Sequence, residues 1–467
     1  MSDASERRVK GKVKSGGQDM IGWAVPLVVA AVVVAGLVFA VVRFFEWERP
    51  AIILDAEVAH LGQKSKVEVT VSDGGSGLRE VKAVVIQGKK EAVVLERQMG
   101  RSTVLSRGVP SLKETIEIDT AALGLSDGPA ELVITVRDLS WWQWGRGNQA
   151  QKVCPTDFDT KPPRIRVANV PTGIKPGGSG VIVYGANEPI SDHGVMLEGT
   201  FHPGYPVPTR KDGVFAAFIA LPYDAESIKE AKVVAKDSAG NQASQPLNLN
   251  FRPVRKKLGN IAVSDNFLTT KMPEFAEHYP EMKGTPIEQF LFVNNEVRKR
   301  NTDAIREVCR KTDAERHWQG RFVRMESAPM AGFADYRTYS YQEKQVDSQV
   351  HLGVDLADRQ QGPVMVANNG KVVFADYLGI YGNMIMIDHG QGLFSLYGHL
   401  SVIQCKVGDM VKTGDVIGLT GTTGMAGGDH LHFSMLVNGV FVTPVEWWDE
   451  HWIKDNILLF LEEKPAR

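Results

Sequence analysis

The 467-residue sequence has few cysteines and no surplus of positive charge. Cys154, Cys309 and Cys405 are too few and too far apart for a disulfide framework, although their spacing permits one bridge. Lysine and arginine together number 53, against 55 aspartate and glutamate residues. Binding to nucleic acid depends on an excess of basic side chains that displace counterions, so no nucleic acid is expected as a partner. Hydrophobic residues make up 43% of the chain, which excludes a polytopic transporter.

One long apolar run lies near the N-terminus. From Met20 to Val42 the chain has 23 residues without a charge, enough for a helix of about 35 Å across a ~30 Å hydrocarbon core. Basic residues are more numerous before this run than after it, so the positive-inside rule predicts a cytoplasmic tail at 1–19 and a transmembrane helix at 20–42. A cleaved signal peptide is the alternative, with a small-residue site at Val38-Phe39-Ala40. Either way, the chain beyond about residue 50 is expected outside the cytoplasm.

The next 200 residues show short apolar-alternating segments separated by glycine, proline and asparagine, a pattern typical of β-strands. An internal repeat supports two copies of one module. Thr135-Val-Arg-Asp138 is followed by Gly147-Asn-Gln-Ala150, and Val234-Ala-Lys-Asp237 by Gly240-Asn-Gln-Ala243. These pairs resemble the closing strands of bacterial immunoglobulin-like sandwiches, which implies one sandwich at 50–154 and a second at 160–252.

The first copy carries three tryptophans, Trp141, Trp142 and Trp144, in the loop between its closing strands. Their rings could stack on sugars, contact a protein partner, or fold back onto the sandwich. The sequence favours the last of these without deciding the matter.

A helical linker or arm is predicted at 255–320. Thr285 and Glu288 form a capping-box pattern with Pro286 at the first helical position. Thr302 is predicted to cap a second helix, so the segment is expected to be a helical hairpin. It could serve as a spacer or as a regulatory arm, and both interpretations stay open.

Histidines are concentrated in the last quarter of the chain. Six of the 11 fall between His351 and His451, and three short motifs organise most of them. The motifs are His351-Leu-Gly-Val-Asp355, Tyr397-Gly-His399 and His430-Leu-His432. His389 is expected to fix a turn instead of joining a functional site.

The motif residues suit a catalytic metal. A spacing of two places the imidazoles of His430 and His432 on one face of a strand. Gly353 disfavours a regular helix between His351 and Asp355, so both side chains could converge on one ion. Two imidazoles and a carboxylate are a suitable ligand set for catalytic zinc with an open position. His351, Asp355 and one of the His430/His432 pair would bind the metal, while the other imidazole and His399 act on water and the developing oxyanion.

Residues 329–448 closely resemble the LytM/lysostaphin-type zinc endopeptidases of peptidase family M23. The resemblance rests on the three motifs and on the intervening residues Gly382-Asn383, Val407 to Gly414 and Ile417 to Gly424. It implies a mainly antiparallel β peptidase domain at 325–450, followed by a C-terminal tail at 451–467. It also implies Zn2+ bound by His351, Asp355 and His432, with His399 and His430 as the catalytic residues. The implied substrate is a peptide bond in peptidoglycan.

Two positions depart from the family pattern. Ser434 stands where relatives often carry an acid, and Asp429 precedes His430 where proline is frequent. Neither change removes an expected ligand or catalytic imidazole. The segment from Gly332 to Tyr339 resembles a groove wall of relatives, or is an ordinary packed strand.

The predicted protein is therefore a mainly β, multidomain zinc metalloendopeptidase that cuts peptidoglycan stems or cross-links. Its predicted place is the bacterial inner membrane, as a single-pass protein with a periplasmic catalytic domain. Peptidoglycan, the inner membrane and other envelope proteins are the expected partners. The alternative is a non-catalytic envelope scaffold or an activator of other cell-wall hydrolases. A carbohydrate-binding adhesin that uses the tryptophan loop is a third hypothesis.

Overall fold

A computed structural model describes residues 19–101, 106–210 and 213–462 of the chain. Most of the predicted cytoplasmic tail, and the last five residues of the predicted C-terminal tail, lie outside the described residues. The chain divides into two compact units, Met1–Lys161 and Pro162–Arg467. Strands dominate both units and an apolar helix lies near the N-terminus, so the expectation of a mainly β fold is confirmed. Cys154, Cys309 and Cys405 are all free thiols.

Helix α1, Asp19–Phe44, contains the predicted apolar run. Its stretch Val25–Val42 is long and apolar enough to cross a membrane, and none of it is buried by the rest of the protein. A signal sequence near an N-terminus has the same properties, so the helix alone does not separate the two interpretations.

Two sheets pack around an aliphatic core in the rest of the first unit. Alternate residues of two strands are fully buried there, as their sequence pattern predicts, including Val69, Val71, Val81 and Val85. The strands are β1 Ala51–Leu54, β2 His60–Leu61, β3 Lys64–Ser72, β4 Leu78–Gln87, β5 Lys90–Gln98, β6 Ser111–Asp119, β7 Gly128–Asp138 and β8 Gln149–Phe158. One sheet has the order β1-β3-β6 and the other β2-β8-β7-β4-β5. A helical turn, α2 Trp142–Gly145, interrupts the loop between β7 and β8.

The second unit begins with another pair of four-stranded sheets. Their orders are β13-β14-β10-β9 and β12-β11-β15-β16. The strands are β9 Ile165–Asn169, β10 Ser179–Ala186, β11 Ile190–Leu197, β12 Thr200–Pro203, β13 Tyr205–Pro206, β14 Val214–Ala220, β15 Ala231–Asp237 and β16 Gln242–Pro246. Both pairs of sheets are sandwiches by their packing, and the immunoglobulin-like relationship stays a prediction.

The predicted helical arm contains one strand and three helices. They are β17 Lys257–Ala262, α3 Asp265–His278, α4 Pro286–Phe292 and α5 Arg298–Val308, with a π-helical turn, Val293–Val297, between the last two. The capping box at Thr285 and Glu288 is present. The predicted cap at Thr302 was wrong, because Thr302 lies inside α5 and its hydroxyl donates to the carbonyl of Arg298. Helix α3 was not predicted.

The C-terminal domain is built on a ten-stranded, mainly antiparallel sheet. Its main path is β18-β21-β28-β25-β24-β23-β26, while β22, β27 and β29 pair alongside it. A separate small sheet has the order β17-β19-β20. The strands are β18 Ala328–Ala331, β19 Asp335–Tyr341, β20 Lys344–His351, β21 Val354–Ala357, β22 Pro363–Met365, β23 Gly370–Tyr377, β24 Asn383–Asp388, β25 Leu393–Ile403, β26 Met410–Val411, β27 Val416–Thr420, β28 Leu431–Val437 and β29 Val440–Val442.

The two faces of this sheet bury different partners. On β28, Phe433, Met435 and Val437 belong to one core with the second sandwich and the C-terminal helices. Leu436 belongs to the other core, which contains apolar side chains of α3, α4 and α5. Because side chains alternate along a strand, His432 and Ser434 lie on the same face as Leu436. The arm therefore covers the sheet next to the histidine motifs.

The predicted C-terminal tail is largely helical. The helices are α6 Pro444–Trp448, α7 Glu450–Ile453 and α8 Leu459–Leu461, with a π-helical turn, Lys454–Leu458, before the last. Trp447 is fully buried, and its indole N–H donates to the hydroxyl of Ser179 at 3.1 Å. The second sandwich and the C-terminal domain thus share one core within the second unit.

Candidate metal centre

Three strands bring the predicted metal ligands together. His351 ends β20, Asp355 lies on β21 and His432 on β28. Strands β21 and β28 are antiparallel neighbours in which Asp355 pairs directly with His432. The Nε2 atom of His351 is 2.9 Å from Oδ1 of Asp355 and 3.0 Å from Nδ1 of His432. That Nδ1 atom is itself 3.0 Å from the same carboxylate oxygen.

The outward-facing ring atoms fix the protonation of both imidazoles. Nδ1–H of His351 donates to the carbonyl oxygen of Gly332 at 2.8 Å. Ser434 donates its only hydroxyl hydrogen to the carbonyl of Leu352, so Nε2–H of His432 must donate to the Ser434 oxygen. In neutral rings, Nε2 of His351 and Nδ1 of His432, which face each other, therefore both carry a lone pair instead of a hydrogen. Together with a carboxylate oxygen they form three converging acceptors, a donor set that fits a cation such as Zn2+.

Gly353 is the residue that allows this approach. A Cβ atom added there would lie 2.5 Å from Nε2 of His432 and 2.7 Å from the carbonyl oxygen of Phe433. The sequence interpretation gave Gly353 the task of breaking a helix, whereas the structure shows that it makes space for a ligand.

Arg337 is a residue of the site that the sequence interpretation missed. Its Nη2 atom is 3.4 Å from Oδ2 of Asp355, the carboxylate oxygen that does not face the two imidazoles. Arg337 lies on β19 within the segment predicted as a groove wall or packed strand, and it lines the cleft. The sequence carried no spacing signal for it, because its strand belongs to another sheet.

His399 reaches the site through a break in the strand alternation. On β25, Tyr397 and Leu400 pack into the core on the far face of the sheet. Regular alternation would put His399 on that face as well. Its left-handed backbone, with φ of 64°, and a register shift against β24 form a bulge that turns its ring toward the cleft. Nδ1–H donates to the carbonyl of Thr423 at 2.8 Å, which leaves Nε2 as an acceptor.

His430 lies just before β28, and its backbone bridges Gly421. Nδ1–H donates to the carbonyl of Gly428 at 2.8 Å, and Nε2 is 3.5 Å from Oδ1 of Asp355. The ring centroids of His430 and His399 are 4.8 Å apart. The structure therefore brings all five predicted site residues together, with His432 as the histidine of the pair that joins His351 and Asp355.

Burial and mutual contacts shift the pKa values of these groups. Burial opposes ionisation of Asp355, but the adjacent imidazoles of His351, His430 and His432 hold its pKa well below its usual value. Burial lowers the pKa of His432 to about 4. Burial, reinforced by the neighbouring His430, also places the pKa of His399 well below its usual value. A neutral ring at each of these two positions leaves a lone pair on Nδ1 of His432 and on Nε2 of His399.

His389 stands apart from this group. Both of its ring nitrogens are engaged, one with the carbonyl of Asn369 at 2.7 Å and the other with the hydroxyl of Ser395 at 2.8 Å. The side chain is fully buried, so its contacts are those of the structural residue that the sequence predicts.

The site opens into a cleft of about 1110 Å³. Its walls come from the C-terminal domain, from the arm and from a short segment of the second sandwich around Tyr223. Tyr381 and the four site histidines line its inner end. Sequence patterns did not indicate the contribution of the arm, because its cleft-lining residues are spread over β17, α3, α4, the π-helical turn and α5 and include both apolar and polar side chains.

Residues 349–444 match the model of peptidase family M23. The C-terminal part of the chain is an M23 peptidase domain. Its match covers the five site residues, and the family resemblance expected from the sequence is confirmed.

Curated relatives share this part of the chain. The DD-carboxypeptidase/endopeptidase Mpg of Neisseria meningitidis serogroup B is 42% identical over 96 residues, which cover 21% of this chain and 22% of the relative. The peptidoglycan DD-endopeptidase ShyA of Vibrio cholerae is 39% identical over 89 residues, or 19% of this chain and 21% of the relative. The chain thus spans about a fifth of the length of the curated relatives that it matches.

Solved structures of other peptidases are also similar to parts of this chain. The catalytic domain of lysostaphin from Staphylococcus simulans is 30% identical, covers 26% of this chain and 92% of its own, and has a TM-score of 0.23. A zinc-containing peptidase from Vibrio cholerae is 15% identical, covers 81% of this chain and 85% of its own, and has a TM-score of 0.25.

Proposed function

We propose that this chain is a zinc metalloendopeptidase that hydrolyses peptide bonds in peptidoglycan stems or cross-links. The observation that carries the proposal is the set of three converging acceptors from His351, Asp355 and His432, with two further imidazoles beside it. The names of the relatives Mpg and ShyA, which match over the same domain, support a peptidoglycan peptide as substrate.

Each site residue has a task that follows from its contacts. His351, Asp355 and His432 would hold the zinc, with Gly332, Ser434 and Leu352 fixing the two rings. Bound zinc would supply Lewis-acid polarisation of the scissile carbonyl and lower the pKa of water.

His399 and His430 carry the proton chemistry of the proposal. Each ring donates through Nδ1 to a backbone carbonyl, and His399 presents Nε2 as an atom that can take a proton from the attacking water. Burial opposes a charge on His430, but the contact of its Nε2 with Asp355 at 3.5 Å raises its pKa and favours the protonated ring. Once protonated, the same Nε2–H can donate to the oxyanion or to the leaving amine. Arg337 keeps Asp355 oriented through its second carboxylate oxygen.

We further propose that α1 anchors the chain in the inner membrane, with the M23 domain in the periplasm. The supporting observation is an apolar stretch, Val25–Val42, that no other described part of the protein buries. Intact-mass analysis of the chain recovered from cell membranes tests this, since an anchored chain keeps residues 20–42. A mature chain that starts after Ala40 would contradict anchoring in favour of a signal peptide.

Active-site variants test the catalytic proposal against the scaffold alternative. Asp355→Ala and His399→Ala are expected to abolish the release of new products from purified sacculi while circular dichroism shows an unchanged fold. Mass analysis of the digests provides the readout. A chain that rescues cell-wall growth equally well with His351→Ala would support a non-catalytic scaffold or activator instead.

A further inference from the structure

The charged side chains of the cleft are strongly unbalanced. Among the described residues that line it, the acidic ones are Asp224 and Asp355, whereas the basic ones are Lys271, Arg298, Lys299, Arg306, Arg310 and Arg337. Asp355 already contacts Arg337 and the site histidines. Lys271, Arg306 and Arg310 pair with Glu274, Asp303 and Glu307. Among the described residues that line the cleft, Arg298 and Lys299 remain without a carboxylate partner, and their charges favour a ligand that carries negative charge.

Helix α5 contributes three of these six basic residues, Arg298, Lys299 and Arg306. Arg298, Thr302 and Arg306 all line the cleft at a spacing of four residues, so they form a stripe along the helix. The stripe is about 12 Å long at a rise of ~1.5 Å per residue. An extended peptide covers that distance with three to four residues at ~3.3 Å each.

Helix α5 packs against the segment that carries Tyr381. The backbone N–H of Ile380 donates to Oδ1 of Asn301 at 2.9 Å, and Asn301 lies about one turn after Arg298. The ring centroids of Tyr381 and His432 are 5.4 Å apart. Arg298 lines the same cleft as these residues.

The guanidinium of Arg298 is held in place by a buried side chain. Its Nη2 donates to Oδ1 of Asn294 at 2.6 Å, and its Nε donates to the carbonyl of Asn294 at 3.2 Å. Asn294 is fully buried, and its own Nδ2 donates to Asp347 at 2.7 Å. These bonds use two of the five N–H groups of Arg298, so three remain for a ligand.

The π-helical turn makes this arrangement possible. Val293 and Asn294 are adjacent residues of this turn, and both are fully buried. Such turns are common at functional sites. In the described part of the chain, neither Arg298 nor Lys299 has a carboxylate within 4 Å.

We propose that α5 is a specificity wall of the peptidase, on which Arg298 and Lys299 bind a carboxylate of an extended acidic peptide. This inference rests on the proposed peptidase function and adds the charge of the substrate to it. Arg306 and Arg310, which pair with Asp303 and Glu307 of the arm, extend the positive surface toward the outer end of the cleft.

The test compares two forms of one substrate. Cross-linked muropeptide dimers are released from sacculi with a muramidase, and half of them are amidated at their free carboxylates. The full chain loaded with zinc is expected to cleave the acidic dimers at least tenfold faster in kcat/KM. Arg298→Gln with Lys299→Gln is expected to lower kcat/KM for the acidic dimers by about tenfold to hundredfold, mainly through KM, and to leave the amidated dimers unaffected.

Matched controls separate the outcomes. Arg300→Gln removes a charge from the same helix at an exposed position that pairs with Glu281 and does not line the cleft, so it should leave the preference intact. If the double variant does not fold, Lys299→Gln alone is used, because this position is exposed. It is expected to lower kcat/KM for the acidic dimers in the same direction. Equal cleavage of both dimers by the unaltered chain would overturn the inference and leave the peptidase function standing. Cleavage of neither would refute the peptidase function itself.

A separate observation concerns the tryptophan loop of the first unit. The loop joins the end of α1: the backbone N–H of Trp141 donates to the carbonyl of Phe44 at 2.8 Å, and the two rings stack at 4.6 Å. Trp142 contacts Trp47 edge-on at 5.9 Å. The folding-back expected from the sequence is thus only partial, because Trp47 is 77% exposed and Trp144 fully exposed.

We infer that this loop lies in the headgroup region of the membrane that α1 enters, with Trp144 as its anchor. The inference rests on the proposed anchoring of α1. Exposed tryptophans at the end of an apolar helix suit the membrane interface, where an apolar ring and a polar N–H are both satisfied. Gln143 and Trp144 adopt left-handed φ values of 52° and 60°, a strained turn that projects the Trp144 ring outward.

Spin labels in the full chain, reconstituted in phosphatidylglycerol-containing vesicles, test the loop. Single cysteines are introduced by Arg146→Cys in the exposed part of the loop, Val33→Cys in α1 or Val93→Cys in β5, in a chain whose native cysteines are replaced. A label at 146 is expected to be more accessible to oxygen and less accessible to a polar nickel chelate than the label at 93. A water-like label at 146 beside a bilayer-embedded label at 33 would overturn the inference, and a water-like label at 33 would refute the anchoring.

Discussion

Ser434 occupies a position where relatives of the family often carry an acid, and the structure gives it a defined task. Its hydroxyl accepts from Nε2–H of His432 and donates to the carbonyl of Leu352. We predict that Ser434→Ala lowers the zinc affinity about tenfold to hundredfold, because the His432 ring loses the partner that orients it. Competition with a fluorescent chelator measures the effect. Ser395→Ala, which removes a partner of His389 instead, is the control, and equal affinity in both variants would contradict the prediction.

Gly353 gives a second test at the scale of single residues. A methyl group there would meet both the His432 ring and the backbone of Phe433, so the ligand cannot keep its place. We predict that Gly353→Ala lowers the zinc affinity by at least tenfold. Gly427→Ala is the matched control, since a Cβ at that position meets no atom within 4 Å. Full zinc affinity in the Gly353 variant would show that the approach of His432 is not limited by this contact.

The stability of the first unit is expected to depend on pH through Glu46. Burial raises its pKa to about 7, a hydrogen bond from Ser76 opposes the shift, and the charges of Asp73 and Asp138 add to it. The folded unit thus binds this proton more tightly than the unfolded chain, so the stabilisation is present below about pH 4.5 and is lost as the pH rises through about 7. We predict that Glu46→Gln raises the Tm of the first unit at pH 8 and not at pH 4. Calorimetry of the full chain in detergent measures the Tm of both forms. The same change in Tm on substitution at pH 4 and at pH 8 would contradict the prediction.

At the scale of elements, the sequence predicted the strands better than the helices. Buried residues alternate on β3 from Val67 to Val71 and on β4 from Val81 to Val85, so this pattern was visible in the sequence. Helix α3 has weak contrast between its faces, since it buries Lys271 and contains Pro273. Thr302 looked like a cap because threonine favours that position, but inside a helix its hydroxyl can bond to the preceding turn instead.

The site also combines features that the sequence predicted with features that it did not. The motifs predicted five residues that converge, because strand periodicity places His432 and Ser434 on one face. The bulge that turns His399 toward the cleft is a backbone feature that no residue spacing announces. Arg337 and Arg298 come from other elements, so only the tertiary structure brings them near the motifs.

The packing of the arm bears on its two interpretations. Phe290, Val293 and Val297 lie in one core with apolar side chains of the sheet, and Met384, Met386, Phe394, Leu396 and Leu436 form the sheet side of that core. We predict that residues 322–467 alone expose this face and aggregate or bind a hydrophobic dye strongly. Size-exclusion chromatography and dye binding give the readout. A monomeric fragment as active as residues 50–467 would contradict the arm as a structural part of the domain.

At the scale of the whole molecule, the sequence interpretation drew five separate parts after the membrane segment, and the structure groups them differently. The second sandwich, the arm, the M23 domain and the C-terminal helices form a single compact unit. Ser179 and Glu446 illustrate the connection, with the backbone N–H of Ser179 donating to the Glu446 carboxylate at 3.0 Å. Contacts of this kind lie between residues more than 250 positions apart, which sequence patterns do not reveal.

The central claim about the whole molecule is that its cleavage of peptidoglycan depends on zinc. Removing the metal and then adding zinc back tests this claim most directly. Purified sacculi are digested with the full chain as isolated, after removal of metal, and after addition of one equivalent of Zn2+. New free amines and released muropeptides are then quantified by mass analysis. We predict cleavage that is lost with the metal, restored by zinc, and absent in Asp355→Ala under all three conditions. Cleavage that persists without metal, or no cleavage by the zinc-loaded chain, would contradict the proposed function.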